Sequence, residues 1–107
     1  MDYKLAITLL KTIDKLEGLE DLLQEHNGSY ILELRKLADI NESLAEQVEI
    51  LELAAPYLFL EEYGKLEPKA KQHCKENGVV IRKGAEDDVP FMYYLDLENF
   101  SFGISEF

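Results

Sequence analysis

The chain has one cysteine, two histidines, no tryptophan, and 11 basic side chains against 22 acidic ones. Each shortage excludes something. With Cys74 alone, no intramolecular disulfide and no CxxC pair for zinc or redox work can form, and a free thiol suits a reducing compartment. His26 and His73 belong to no HExxH or ExxH motif, so a helix-borne metal site lacks its ligands. His73 and Cys74 are neighbours, and neighbours on a helix point about 100° apart, too far to form a nucleophile and base. The six glycines never cluster into a phosphate cradle. Glu86, Asp87 and Asp88 lack the alternate spacing of a calcium loop.

The shortage of basic residues gives a formal charge of −11. Phosphate contacts need a basic surface, so direct binding to nucleic acid or to an anionic membrane is disfavoured, whereas a basic protein partner suits the charge, as does plain solubility. No apolar run approaches the length of a membrane span, and the stretch from Met1 has no basic lead into an apolar segment. The expectation is a cytoplasmic protein that needs no cofactor or metal and is not an enzyme.

What is present is a long apolar period. Tyr30, Leu34, Leu37, Asn41, Leu44, Val48, Leu51 and Ala55 recur in steps of four and three, and this predicts one helix over residues 30–55. Ile31, Ala38 and Ala45 widen the seam. Asn41 is its polar interruption. Either it is buried and sets register or oligomer state, or Asp39 or Asn41 caps a new helix there. Asp39, Glu42, Glu46 and Glu49 form an acidic stripe on the opposite face, whose like charges repel at helical spacing.

Residues 2–25 read as an earlier amphipathic helix with Leu5, Leu9, Ile13, Leu16, Leu19 and Leu23 on its apolar face. Gly18 is a possible break, and Asn27-Gly28 a stop before the cap Ser29. Two long helices joined so closely should fold back as an antiparallel hairpin. Pro56 closes the second helix or opens a short one with Tyr57, Leu58, Phe59, Leu60 and Tyr63, which would cap the hairpin. Glu67 to Glu76 predicts a short basic helix with Pro68 at its start and Asn77-Gly78 past its end.

After Gly78 the pattern changes. Val79, Val80 and Ile81 form a β-branched run. Phe91, Tyr93, Leu95 and Leu97, then Phe100, Phe102 and Ile104, alternate with other residues, as strand faces do. Residues 89–97 could instead begin as a helix with Pro90 in its first turn; their aromatic content favours strand.

The expected fold is therefore α+β in one domain. An N-terminal long-helix hairpin with its capping helix occupies residues 1–63, a short basic helix residues 64–78, and a small antiparallel sheet of two or three strands residues 79–107. Residues 65–83 carry a local charge of +4 and the remaining 88 residues carry −15, and pairing of this basic segment with the chain's own acidic helix is expected.

Two functions fit. In the first, a non-catalytic binding protein of inhibitor, immunity or anti-defence type covers a basic surface on a larger target with Asp39, Glu42, Glu46 and Glu49. In the second, a homodimeric structural or adaptor component pairs through the seam residues Tyr30, Leu34, Leu37, Asn41, Leu44, Val48 and Leu51.

Overall fold

The computed structural model describes residues 1–88 and 91–105. Helix α1 (Tyr3–Asp14) starts where the Asp2 carboxylate accepts a hydrogen bond from the Leu5 amide at 2.8 Å, satisfying one of the free donors of the first turn. It buries Ala6, Ile7, Leu9, Leu10 and Ile13. The helix does not continue to residue 25. It ends at Asp14, Gly18 adopts φ +74°, and a single 3-10 turn (Leu19–Leu22) buries Leu19 and Leu22.

The expected helical hairpin is replaced by a β-hairpin. Strands β1 (Leu23–His26) and β2 (Ser29–Leu32) pair antiparallel, with His26 opposite Ser29. Asn27 and Gly28 lie between them at φ 47° and 80°. Two consecutive positive φ angles in a two-residue loop are a type I′ turn, whose twist matches that of the flanking strands. Asn-Gly serves both a helix end and this turn, and four-residue strands are too short to show which.

The predicted continuous helix over 30–55 is likewise divided. After β2 come α2 (Leu34–Ile40) and α3 (Glu42–Phe59), with Asn41 between them in extended geometry. The Asn41 side chain accepts from the Leu44 amide at 3.0 Å, and its own amide donates to the Leu37 carbonyl at 2.7 Å. Asn41 is thus the capping residue, not a buried polar seam residue. Pro56 lies inside α3, at the start of its last turn, and the helix continues to Phe59. A 3-10 turn (Glu62–Gly64) leads to α4 (Pro68–Glu76), which begins as expected with Glu67 accepting from the Ala70 amide at 2.8 Å.

Strands β3 (Val80–Lys83), β4 (Phe91–Asp96) and β5 (Ser101–Ser105) form the expected antiparallel meander. Residues 89 and 90, where a helical start was the alternative, lie outside the described residues. The sheet is larger than expected and mixed. Its order is β1-β2-β5-β4-β3, because β2 joins β5 in parallel through Ile31 and Ser101. Sequence-distant strands meet there, so no local pattern reports the pairing.

Register divides the sheet's two faces. Leu32, Leu95, Phe102 and Ile104 share one face and enter the main core with Ile7, Leu10, Ile13, Val48, Leu51 and Phe59. Ser29, Arg82, Tyr94, Asp96, Ser101 and Gly103 share the other. A bulge between Phe91 and Tyr93 interrupts the alternation. Phe91 is therefore on the polar face, opposite to Tyr93 and Leu95, with which simple alternation had grouped it.

Candidate functional site

Asn41 sets the phase of α3, and at 3.6 residues per turn Glu42, Glu46, Ile50, Leu53 and Tyr57 return to its outer side. All five are exposed, Ile50 by 55%, Leu53 by 76% and Tyr57 by 75%. The inner side buries Ala45, Val48, Leu51, Ala55 and Phe59. An apolar strip edged with carboxylates results. Glu49, also exposed, lies at its margin beside Glu52, whose carboxyl is held above the usual range by partial burial first and by the Glu49 charge second. Asp39 is exposed but sits on α2, before the break, so the four expected stripe acids span two helices rather than one.

The seam residues are dispersed in the same way. Leu37, Val48 and Leu51 are buried in the chain's own core, and Leu34 and Leu44 are half-buried against it. Tyr30 projects from β2, 57% exposed, and Asn41 is exposed in its capping position. Five of the seven expected seam residues are thus already spent, wholly or in part, within one chain. Nor does the basic segment pair with the acidic helices: among the described residues no salt bridge joins residues 65–83 to α2 or α3.

A second cluster lies on the polar face of the sheet. His26 Nε2 and Asn27 Nδ2 both stand 2.9 Å from Asp88 Oδ1. Arg82 Nε donates to Asp96 Oδ2 at 2.9 Å, its other nitrogen reaches Asp96 Oδ1 at 3.2 Å and also donates to Ser29, and Ser101 donates to Asp96 Oδ1 at 2.5 Å. Beneath them Tyr94 is wholly buried, with the Arg82 guanidinium 4.4 Å above its ring and the Phe91 ring 5.6 Å away. Asp88 bears closely on the Tyr94 hydroxyl, yet among the described residues no partner of that hydroxyl meets hydrogen-bond geometry.

Charge follows geometry here. Burial acts to raise the Asp88 carboxyl, but the polar hydrogens of Tyr94, Asn27 and His26 outweigh it and hold the group below the usual range. Asp96 is also pushed up by burial and brought below its ordinary value by Arg82 and Ser101. Tyr94 is driven well above an ordinary phenol, by burial first and by neighbouring Asp88 second.

His26 against Asp88 has the form of a base with its orienting carboxylate, but the hydroxyl of Ser29, opposite His26 in the hairpin, is engaged by Arg82. Burial first, and Asp88 second, favour the protonated phenol of Tyr94. Cys74 is elsewhere, fully buried in the main core, and burial pushes its thiol up to about 11. His73 packs edge-on against Tyr3 at 5.6 Å and faces Asn77. Among the described residues no three His, Cys, Asp or Glu side chains converge as a metal site would require. The polar face is a clamp that ties the β1–β2 hairpin to β3, β4 and the loop before β4.

Sequence reasoning singled out His26 and the acidic loop but joined neither to the other. Their contact spans 62 positions and depends on the parallel β2–β5 pairing. Asn27-Gly28 was the available signal, since read as a hairpin turn it brings His26 opposite Ser29. Set against known protein families, curated proteins and solved structures, the chain matches none.

Proposed function

We propose that this chain is a binding protein without a reaction of its own, and that it docks the outer face of α3 onto a basic, partly apolar surface of another protein. The observation that carries this reading is the solvent-facing placement of Ile50 and Leu53 on the outer row of α3 that also carries Glu42 and Glu46, with Glu49 at its margin. Full burial of a large aliphatic side chain is worth about 1.5–3 kcal/mol, and a partner would recover the part of it that Ile50 and Leu53 forgo by their exposure. The carboxylates choose its sign: like charges at helical spacing cost the free helix a few tenths of a kcal/mol per pair, a cost that a basic partner turns into attraction. With Leu37, Val48 and Leu51 already buried, this face is better suited to a partner than the seam is.

Affinity capture with three baits tests the proposal: the wild-type chain, the Glu46→Lys/Leu53→Asp double variant, and Lys69→Gln on α4 as a control. The reading requires a basic protein held by wild type and control, released at about 0.5 M salt where screening is short-ranged, and lost by the double variant. A partner retained equally by the double variant would contradict it.

A further inference from the structure

The edge strand β3 faces a different surface, opposite in charge to the rest of the molecule. It pairs with β4 on one side and ends the sheet on the other. The Gly84 amide donates to the Met92 carbonyl at 2.7 Å, one step beyond the pairing of Lys83 with Tyr93. In an antiparallel ladder hydrogen-bonded and non-bonded pairs alternate, so Arg82 and Val80 bond to β4 while Ile81 and Lys83 turn their backbone groups outward. Beside this edge runs an open cleft of about 570 Å³ between β3 and α4. Pro68, Val79 and Ile81 give it apolar lining, and Lys71 and Lys75, one helical turn apart, stand along it. Val80 is 63% exposed next to them. Neither lysine makes a salt bridge among the described residues.

We propose that this cleft takes an extended acidic peptide segment by strand addition to β3. The outward amides and carbonyls of Ile81 and Lys83 supply main-chain hydrogen bonds, the apolar lining takes alternate side chains, and Lys71 and Lys75 face carboxylates. The charge selects the occupant. A second copy pairing through its own β3 would bring α4 lysines towards their counterparts, whereas an acidic strand neutralises them.

The test uses a fluorescein-labelled peptide of about eight residues alternating valine and glutamate, long enough to span the strand. Saturable binding is expected, with slowed amide exchange at Ile81 and Lys83. The Lys71→Glu/Lys75→Glu variant should bind about tenfold more weakly or worse. Lys83→Pro removes an outward amide without touching the β4 ladder and should abolish binding, while Lys83→Gln retains most of it. Circular dichroism of each variant establishes that it is folded. Absence of binding to the folded wild type, indifference to the lysine reversals, or protection of other amides would overturn the proposal. So would protection of Ile81 and Lys83 by self-association without peptide.

Discussion

His26 and Asp88 meet at 2.9 Å across a sequence separation of 62, and through that contact the turn of the β1–β2 hairpin is held to the loop that precedes β4. Asn27, in the turn itself, donates to the same carboxylate oxygen. Asp88 is only 2% exposed, so these partners are what make its burial tolerable.

Asp88→Asn should therefore cost about 1–3 kcal/mol, the range for leaving buried polar groups imperfectly paired, and urea unfolding would measure it. The pH dependence carries a sign. The folded-state values of Asp88 and Asp96 lie below their unfolded ones, so between the two the unfolded chain binds more protons. Their stabilisation is complete above the ordinary aspartate range and is lost as pH falls through the folded values. Asp88→Asn should flatten this acid limb.

Glu52 works in the opposite sense. Its folded value is raised, so the native state holds more protons as pH climbs past the ordinary glutamate range, and stability falls there. Glu52→Gln should remove that decline in a melting series across mildly acidic pH.

Asn41 separates two accounts of residues 30–55. As a buried seam residue it would be improved by an apolar replacement; as the cap of α3 it loses its bond to the Leu44 amide. Asn41→Ala should cost about 1 kcal/mol by chemical denaturation, with the solution mass unchanged. A more stable variant would restore the seam account.

Gly103 lies beneath the Phe91 ring, where an added Cβ would clash with the ring carbons. Gly103→Ala should lift Phe91 from Tyr94 and destabilise the fold by about 1–3 kcal/mol, as overpacking does. Near-ultraviolet circular dichroism should report the altered tyrosine environment.

Much of the C-terminal half was legible because its signals are local. Glu67 and Pro68 mark the start of α4, and Phe100, Phe102 and Ile104 alternate as the buried face of β5 and the residue before it. The N-terminal half misled for a physical reason. Tyr30, Leu34 and Leu37 keep helical spacing by coincidence across a strand-to-helix junction, and Asn27-Gly28 fits a helix end as well as a hairpin. The bulge that moves Phe91 across the sheet and the parallel β2–β5 pair are non-local, and no periodicity encodes them. Of the candidate site, the acids Glu42, Glu46 and Glu49 were visible in the pattern. The exposure of Ile50 and Leu53 was not, since it depends on which side of α3 the core takes.

The most direct measurement is an amide chemical-shift titration of the folded chain with an amphipathic leucine–lysine helix of roughly fourteen residues, long enough to lie along four turns of α3. It should be run at about 50 mM and about 500 mM salt, on either side of strong screening. The account requires shifts centred on Glu46, Ile50 and Leu53, diminished at high salt and absent in the Glu46→Lys/Leu53→Asp variant. Shifts centred elsewhere, or the same shifts in that variant, would contradict the assignment of α3 as the docking face.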